Sequence, residues 1–593
     1  MIYDGAFNEQ TTVRFVRLLS KGSLMSDESS GPPPDDEEPT ESPASTDSKF
    51  FNEAYDKVAE IGEGRRWYDL PYRLLSWLLS AWPNKVLPRR WRSGLNYLLN
   101  LLIPFNEHDR HKTLSLENPL HNLFVPEDEH VTIPGIWVVE LFPPSAFDAL
   151  SQIIAKNSWD RRRVYVGTGE GNLEMLERSR SGHGWTWWRL GEIADKDSGY
   201  WFPDGTREKL PAPFGAIELT AIQIGSGLTA VVAYFHITAD ASRSVDVVWH
   251  EHHEPQLVRG KGRPKAEDRM WAAFRITQQS RRTLHDAARK WLALRSPGFF
   301  AANQETQPLM DMLLLDRHDP IPGERDDRAF SDALRAIGLT GDATLHRTSS
   351  QVPQMLFSPV QTDMCPALDG RTWALWGNRD VIANAHENLH FYGQDRNGAI
   401  AHAANRRMGN FLVMNAVSEF LVVVERRYAV LRDNARTRHG QFKTRDLREL
   451  RANLLTLSLD LASVARDVDA FWKRKWRDEG DAQFTLNYAP WIVRDDEKAG
   501  RTRVTPIDMN DDLRKSQRKG LRQLIASDQD YRDILSTVAS LGASIDAFKV
   551  GRIAIWIAFV ALVVALGTLL LTDVGPNSSL MTTWSWFRSL LER

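Results

Sequence analysis

One cysteine, Cys365, stands in 593 residues. An intrachain disulfide is therefore excluded, and the chain fits a reducing compartment. A secretory signal's apolar core is also missing, because Arg14, Arg17 and Lys21 interrupt the opening MIYDGAFNEQTTVRFVRLLSKGSLM. Nor is there an excess of one charge. The net charge of −3 gives no global pull toward nucleic acid, and no such partner is expected.

Charge is missing most completely from Ile553 to Leu571 (IAIWIAFVALVVALGTLLL). At ~1.5 Å per helical residue this run reaches roughly 28 Å, the thickness of a bilayer's hydrocarbon core. In lipid a lone segment satisfies its backbone by becoming a helix. The reading is one transmembrane helix over 553–571, with the lipid bilayer as partner. Lys549 and Arg552 border it on the side that carries most of the chain, and basic flanks favour the cytoplasm. The expectation is a single-pass, tail-anchored protein with its N-terminal bulk cytoplasmic, in the plasma (inner) membrane of a bacterium.

Composition divides the rest. Residues 1–49 include SDESSGPPPDDEEPTESPASTDS, acidic and nearly free of apolar side chains, and are expected to be disordered. Residues 50–130 are rich in Trp, Leu and Arg, with LPYRLLSWLLSAW and VLPRRWRSGLNYLLNLLIPF as helices broken by proline. Such helices lie on anionic lipid or form a hairpin packed on the next domain, and both readings fit. Over 131–296 the period changes to two. IWVVELF, RRVYVG, WTWWRL, AIELTAIQIG, TAVVAYFHIT and VDVVWHE read as strands, GSGL at 225–228 as a hairpin turn, and 147–159 and 266–295 as helices. That makes an α+β (or α/β) domain. Residues 297–377, punctuated by Pro and Gly, read as an irregular connection.

The span 378–480 reads as helical. Leu447, Leu450, Leu454, Leu457, Leu461, Val464, Val468 and Phe471 repeat at 3-4 spacing, a heptad seam. An oligomeric coiled coil and an intramolecular hairpin both fit that seam. After a loop at 481–507, Tyr531, Ile534, Val538, Leu541, Ile545 and Phe548 continue a 3-4 pattern. Proline is absent from 508 to 571, so a stalk helix over 508–552 should run unbroken into the membrane. Self-association through this stalk is expected. Residues 572–593 end in MTTWSWFRSLLER, an interfacial tail.

Several clusters could carry chemistry. His386-Glu387-Asn388-Leu389-His390 is HExxH; on a helix both imidazoles share a face and can hold zinc, with Glu387 as general base. About ten residues here resemble the zincin metallopeptidases. The resemblance implies a membrane-tethered zinc hydrolase, with Glu419 or His402 as third ligand. It departs where Arg396 stands at the third histidine of the longer metzincin pattern. In Trp249-His250-Glu251-His252-His253-Glu254, strand alternation would put His250 and His252 on one face, with His236 beside them, as a second metal candidate. Val166-Gly167-Thr168-Gly169-Glu170-Gly171 lacks the Lys and Ser/Thr of a P-loop and reads as a surface turn. Arg259-Gly260-Lys261-Gly262-Arg263-Pro264-Lys265 looks like an AT-hook peptide, but headgroup contact or a solvated loop suits it better.

A larger pattern joins the α/β region, the stalk continuous with a span, and Gly575-Pro576-Asn577 beyond it. Together they look like CorA-type divalent-cation channels, which carry Gly-Met-Asn after the first span and then a second span. Here proline replaces the methionine, and LMTTWSWFRSLLER is too short to cross again.

Overall fold

Strands that are mostly apolar on both faces, rather than alternating, announce a sheet covered on both faces. GIWVVELF (Gly135–Phe142), LTAVVAYFHI (Leu228–Ile237) and LMDMLLL (Leu309–Leu315) are buried at every position. They are central strands of one mixed sheet in this computed structural model. The structure describes residues 57–80, 88–113, 123–161, 171–183, 186–259, 262–322, 328–339, 345–361, 371–386, 389–392, 395–438, 444–473, 480–501, 506–572 and 579–592. The chain falls into two units, Met1–Val58 and Ala59–Arg593; every described element lies in the second. The acidic N-terminal segment and the glycine-rich 166–170 lie outside the described residues.

The strands are β1 (Val131–Thr132), β2 (Gly135–Phe142), β3 (Trp187–Asp195), β4 (Thr206–Glu208), β5 (Phe214–Ile224), β6 (Leu228–Ile237) and the separate ribbon β7–β8 (Gln256–Arg259, Pro264–Glu267). They continue with β9 (Leu309–Leu315), β10 (Leu345–Thr348), β11 (Leu356–Pro359), β12 (Thr372–Asn378), β13 (Thr485–Tyr488) and β14 (Ile507–Asp508). The sheet order is β14-β13-β10-β11-β12-β9-β2-β6-β5-β3-β4, with β1 on β9. Pairing is antiparallel except β9–β12 and β3–β4. The sheet therefore runs through residues 297–377 and 481–507, correcting their reading as irregular segment and loop. LMDMLLL alternates with nothing and is no longer than a short helix, so periodicity alone could not type it.

Helices cover both faces. α1 (Asp69–Ser80) and α2 (Arg89–Thr113) pack as a hairpin beside β7–β8. The first layer on the sheet holds α3 (Phe147–Lys156), α4 (Asn172–Arg180), α5 (Ala239–His250) and α6 (Arg269–Arg295). After the short α7 (Phe299–Ala302) and α8 (Arg328–Ala336) come α9 (Arg379–Ala385), α10 (Arg396–Arg438), α11 (Thr444–Lys473), α12 (Pro490–Lys498), α13 (Met509–Thr572) and α14 (Ser579–Leu591). Alternation along β6 splits the core: Val231, Ala233 and Phe235 face α3–α6 and α8, while Ala230, Val232 and Tyr234 face α10, α11 and the start of α13. The architecture is mixed α+β in three layers.

The heptad seam goes into that second core. Leu454, Leu457, Leu461, Val464, Val468 and Phe471 are buried within it. A polar pair one heptad apart, Asp460 and Asp467, fixes α11 to loops at the sheet's end. Asp460 accepts from Ser145 N at 2.9 Å, and Asp467 from Gly227 N at 2.5 Å. Gly227 closes the β5–β6 hairpin, whose turn needs Gly225 at φ +62°. The intramolecular alternative is the one found for this part of the seam.

Helix α13 runs 64 residues without a break. Gln517, Leu521, Leu524 and Asp528, spaced 4-3-4, are its buried face. Beyond Tyr531 no described side chain of α13 is buried. Among the described residues, two helices are long and apolar enough to cross a membrane, Arg396–Asp433 and Val550–Thr568; the first is 61% buried and the second 0%. The first is thus a core helix, and the second has no protein cover.

Candidate functional site

The HExxH segment is not one helix. Asn378 caps α9 by accepting from Asp380 N and Val381 N at 3.0 Å, but Ile382 is the helix's only buried residue. With nothing to pack a further turn, the chain turns extended at His386 (φ −102°, ψ 99°) and resumes as a short 3-10 turn, Leu389–Tyr392. His386 and His390 therefore do not share a helical face, which corrects the expectation. Glu387 lies outside the described residues. His390 is exposed, its ring 4.2 Å from that of Phe391. Glu419 takes an ion pair from Arg371 at 3.1 Å, and Arg371 also binds Glu305. Among the described residues, no three ligand atoms from this set converge.

His402 instead joins His236 in a buried polar network on β3, β5 and β6. Glu218 receives His236 Nε2 at 2.7 Å and the Arg189 guanidinium, with His402 Nδ1 3.7 Å away. Arg189 also reaches Glu192 at 3.5 Å. Burial, reinforced by the charges of His402 and Arg189, pushes His236 down to about 3. It is thus a neutral imidazole donating to a carboxylate that Arg189 already balances. The rings of Tyr234 and Tyr200 flank it at 4.3 and 4.9 Å. Gly135 permits this approach, since a Cβ there would sit 2.3 Å from the Tyr234 ring. The Tyr234 hydroxyl is buried without a hydrogen-bond partner. The network can hold a proton in place but leaves its carboxylate spoken for.

The second metal candidate also changes shape. VDVVWHE is not a strand: Thr238 caps α5, and Ser242, Val245 and Trp249, spaced 3-4, are its buried face. Alternating apolar residues fit both periods over so short a run, and the cap decides for the helix. His250 therefore sits one turn after Asp246, while His252 turns away and packs on Phe124 at 4.4 Å. His236 belongs to the network above.

Beside His250 the structure supplies His130, just before β1. His130 Nδ1 is 3.1 Å from Asp246 Oδ2, and His250 Nδ1 is 3.7 Å from Asp246 Oδ1. One ligand atom from each residue lies within 4.8 Å of the others, the one such group among the described residues. The surroundings hold these side chains in place. Val131 N donates to Asp246 Oδ1 at 2.9 Å, and His250 Nε2 donates to the Glu129 carbonyl at 2.7 Å. Glu129 is anchored by the backbone N–H groups of Asp316, Arg317 and His318. Burial alone would lower the His250 pKa, but the Asp246 and Glu129 carbonyls and the Asp246 carboxylate outweigh it and raise it. Sequence reasoning missed His130, which lies 116 residues from Asp246. Only the Asp246–His250 spacing was readable, and only on a helix.

Comparison of the chain with protein-family models, curated proteins and solved structures returns no match.

Proposed function

We propose that this chain is a single-pass, tail-anchored membrane protein that presents its α+β domain to the cytoplasm, in a regulatory, sensory or scaffolding role. One observation carries the reading: a single helix, α13, has a face buried in the domain core at Gln517–Asp528 and an uncovered apolar end at Val550–Thr568. Leaving those side chains in water would forfeit roughly 1.5–3 kcal/mol for each large one. The exposed Trp584, Trp586 and Phe587 on α14 suit a headgroup layer. Trp67 just before α1 and Leu70, Leu74 and Trp77 on it, spaced 3-4-3 and exposed, offer a further lipid contact beside Arg73. A bacterial inner membrane is the setting we favour. Self-association belongs to residues 531–548, where the 3-4 pattern continues after the core face ends.

The test is sodium carbonate extraction of membranes, paired with Ser585→Cys labelling by an impermeant maleimide in a Cys365→Ser chain. Retention in the membrane and labelling from outside are expected. A chain that stays soluble without detergent overturns the reading.

A second reading rests on α10, α11 and α13, three long helices on one face of a sheet, the last continuing into an apolar segment. That arrangement supports a CorA-like divalent-cation subunit. It needs partner chains to supply more membrane helices, and reconstituted protein without cation flux removes it.

A further inference from the structure

We infer that His130, Asp246 and His250 form a binding site for one zinc-like divalent cation, at the junction of α5 and β1. The chemistry of the donors selects the ion. Two imidazole nitrogens and one carboxylate oxygen suit zinc and its first-row neighbours, whereas magnesium and calcium ask for oxygen throughout. Zinc bonds of ~2.0–2.1 Å in a tetrahedron put ligand atoms roughly 3.3 Å apart; His130 Nδ1 is 3.1 Å from Asp246 Oδ2, and one ligand atom from each of the three residues lies within 4.8 Å of the others, so a small inward movement of His250 completes the set.

The outer partners matter as much. A metal-binding histidine usually donates its other ring N–H to a carbonyl or carboxylate. His250 does so through Nε2 to the Glu129 carbonyl, while its Nδ1 rests on the Asp246 carbonyl at 2.7 Å, 3.7 Å from the Asp246 carboxylate. Val131 N engages Asp246 Oδ1 and leaves Oδ2 for the ion. When the cation enters, His250 Nδ1 gives up its 2.7 Å contact with the Asp246 carbonyl and releases its proton to solvent. The side chain of His130 is 61% exposed, so the fourth position opens to water. An ion held there would clip the end of α5 to the strand edge, joining segments far apart in sequence.

The test uses the full chain in detergent, stripped with chelator and then titrated with zinc chloride alone. One zinc per chain and a higher thermal midpoint are expected. Cobalt should give the intense visible band of a four-coordinate N/O site. His130→Ala, on an exposed side chain, should fold with an unchanged metal-free midpoint and bind zinc at least about 10-fold more weakly. His386→Ala with His390→Ala should leave the zinc stoichiometry at one. Absence of stoichiometric zinc overturns the proposal, as does full binding by His130→Ala or loss of zinc in the His386/His390 variant. Membrane retention is read separately, so either result stands apart from the anchoring proposal.

Discussion

Tyr428 donates its phenolic hydrogen to Asp528 across 2.8 Å, joining α10 to α13 inside the second core. Ser458 of α11 donates to the same carboxylate, and Arg532 pairs with it at 2.7 Å. Eleven residues earlier Gln517 does similar work, accepting from Trp472 at 2.9 Å and donating to the Met414 carbonyl at 2.7 Å. These braces set the direction in which α13 leaves the domain.

Tyr428→Phe should lower stability by about 1–2 kcal/mol, since Asp528 keeps two of its three partners. Asp528→Ala strands a buried tyrosine and a serine and should cost more. Chemical unfolding in detergent, followed by tryptophan emission, measures both.

Arg281 and Asp311 form a buried ion pair at 2.6 Å, with His285 on the other carboxylate oxygen at 2.7 Å. Burial alone would raise the Asp311 pKa; Arg281 and His285 reverse this and hold it well below the usual range. Its stabilising share is complete above the unfolded aspartate's pKa and is lost only as the pH falls well below it. Arg281→Met removes the guanidinium and leaves the buried carboxylate with His285, and should cost roughly 3–5 kcal/mol. Asp311→Asn in the same chain should recover part of that loss. A double-mutant cycle of unfolding free energies checks the coupling.

Glu140 behaves in the opposite way. Phe300 N, Ala301 N and Gln307 Nε2 donate to it at 2.7, 3.1 and 2.7 Å, yet burial outweighs them and pushes its pKa from 4.5 up to about 7. Between those values the folded chain keeps a proton that the unfolded chain has released. Stability should therefore fall as pH rises through that window, by up to about 3 kcal/mol. Glu140→Gln should flatten the slope, and unfolding midpoints across the window would show it.

Val560→Arg combined with Val563→Arg puts two charges at the middle of the apolar segment. Each costs about 2.5–3.5 kcal/mol at a span's centre. Carbonate should then strip the protein from membranes while the domain keeps its unfolding transition. Retention of the double variant would mean that another surface does the anchoring.

What could be read from the sequence followed local pattern. The central strands β2, β5 and β6, the GSGL turn, helix α6 and the unbroken α13 all declare themselves through local pattern. Misreadings arose where two periods fit one short run. VDVVWHE suits strand and helix alike, and its identity depends on a threonine cap preceding it. RDVIANAHENLH looks helical through both histidines, but the helix stops when its single core contact, Ile382, has been made. The heptad of α11 was visible, but what it packs against was not. Asp460 and Asp467, buried one heptad apart, mark an inward-facing side only once the sheet loops that meet them are known. His130 beside His250 is of the same kind, a tertiary meeting without local trace.

Helix α13 leaves no swivel between its two ends. A linker would let the sheet spin above the bilayer, whereas here a continuous backbone rod of ~1.5 Å per residue joins the core brace at Asp528 to the lipid segment. Under the anchoring proposed above, a ligand that tilts or twists the domain would apply torque to the apolar segment, and bilayer thickness or tension would push back on the sheet.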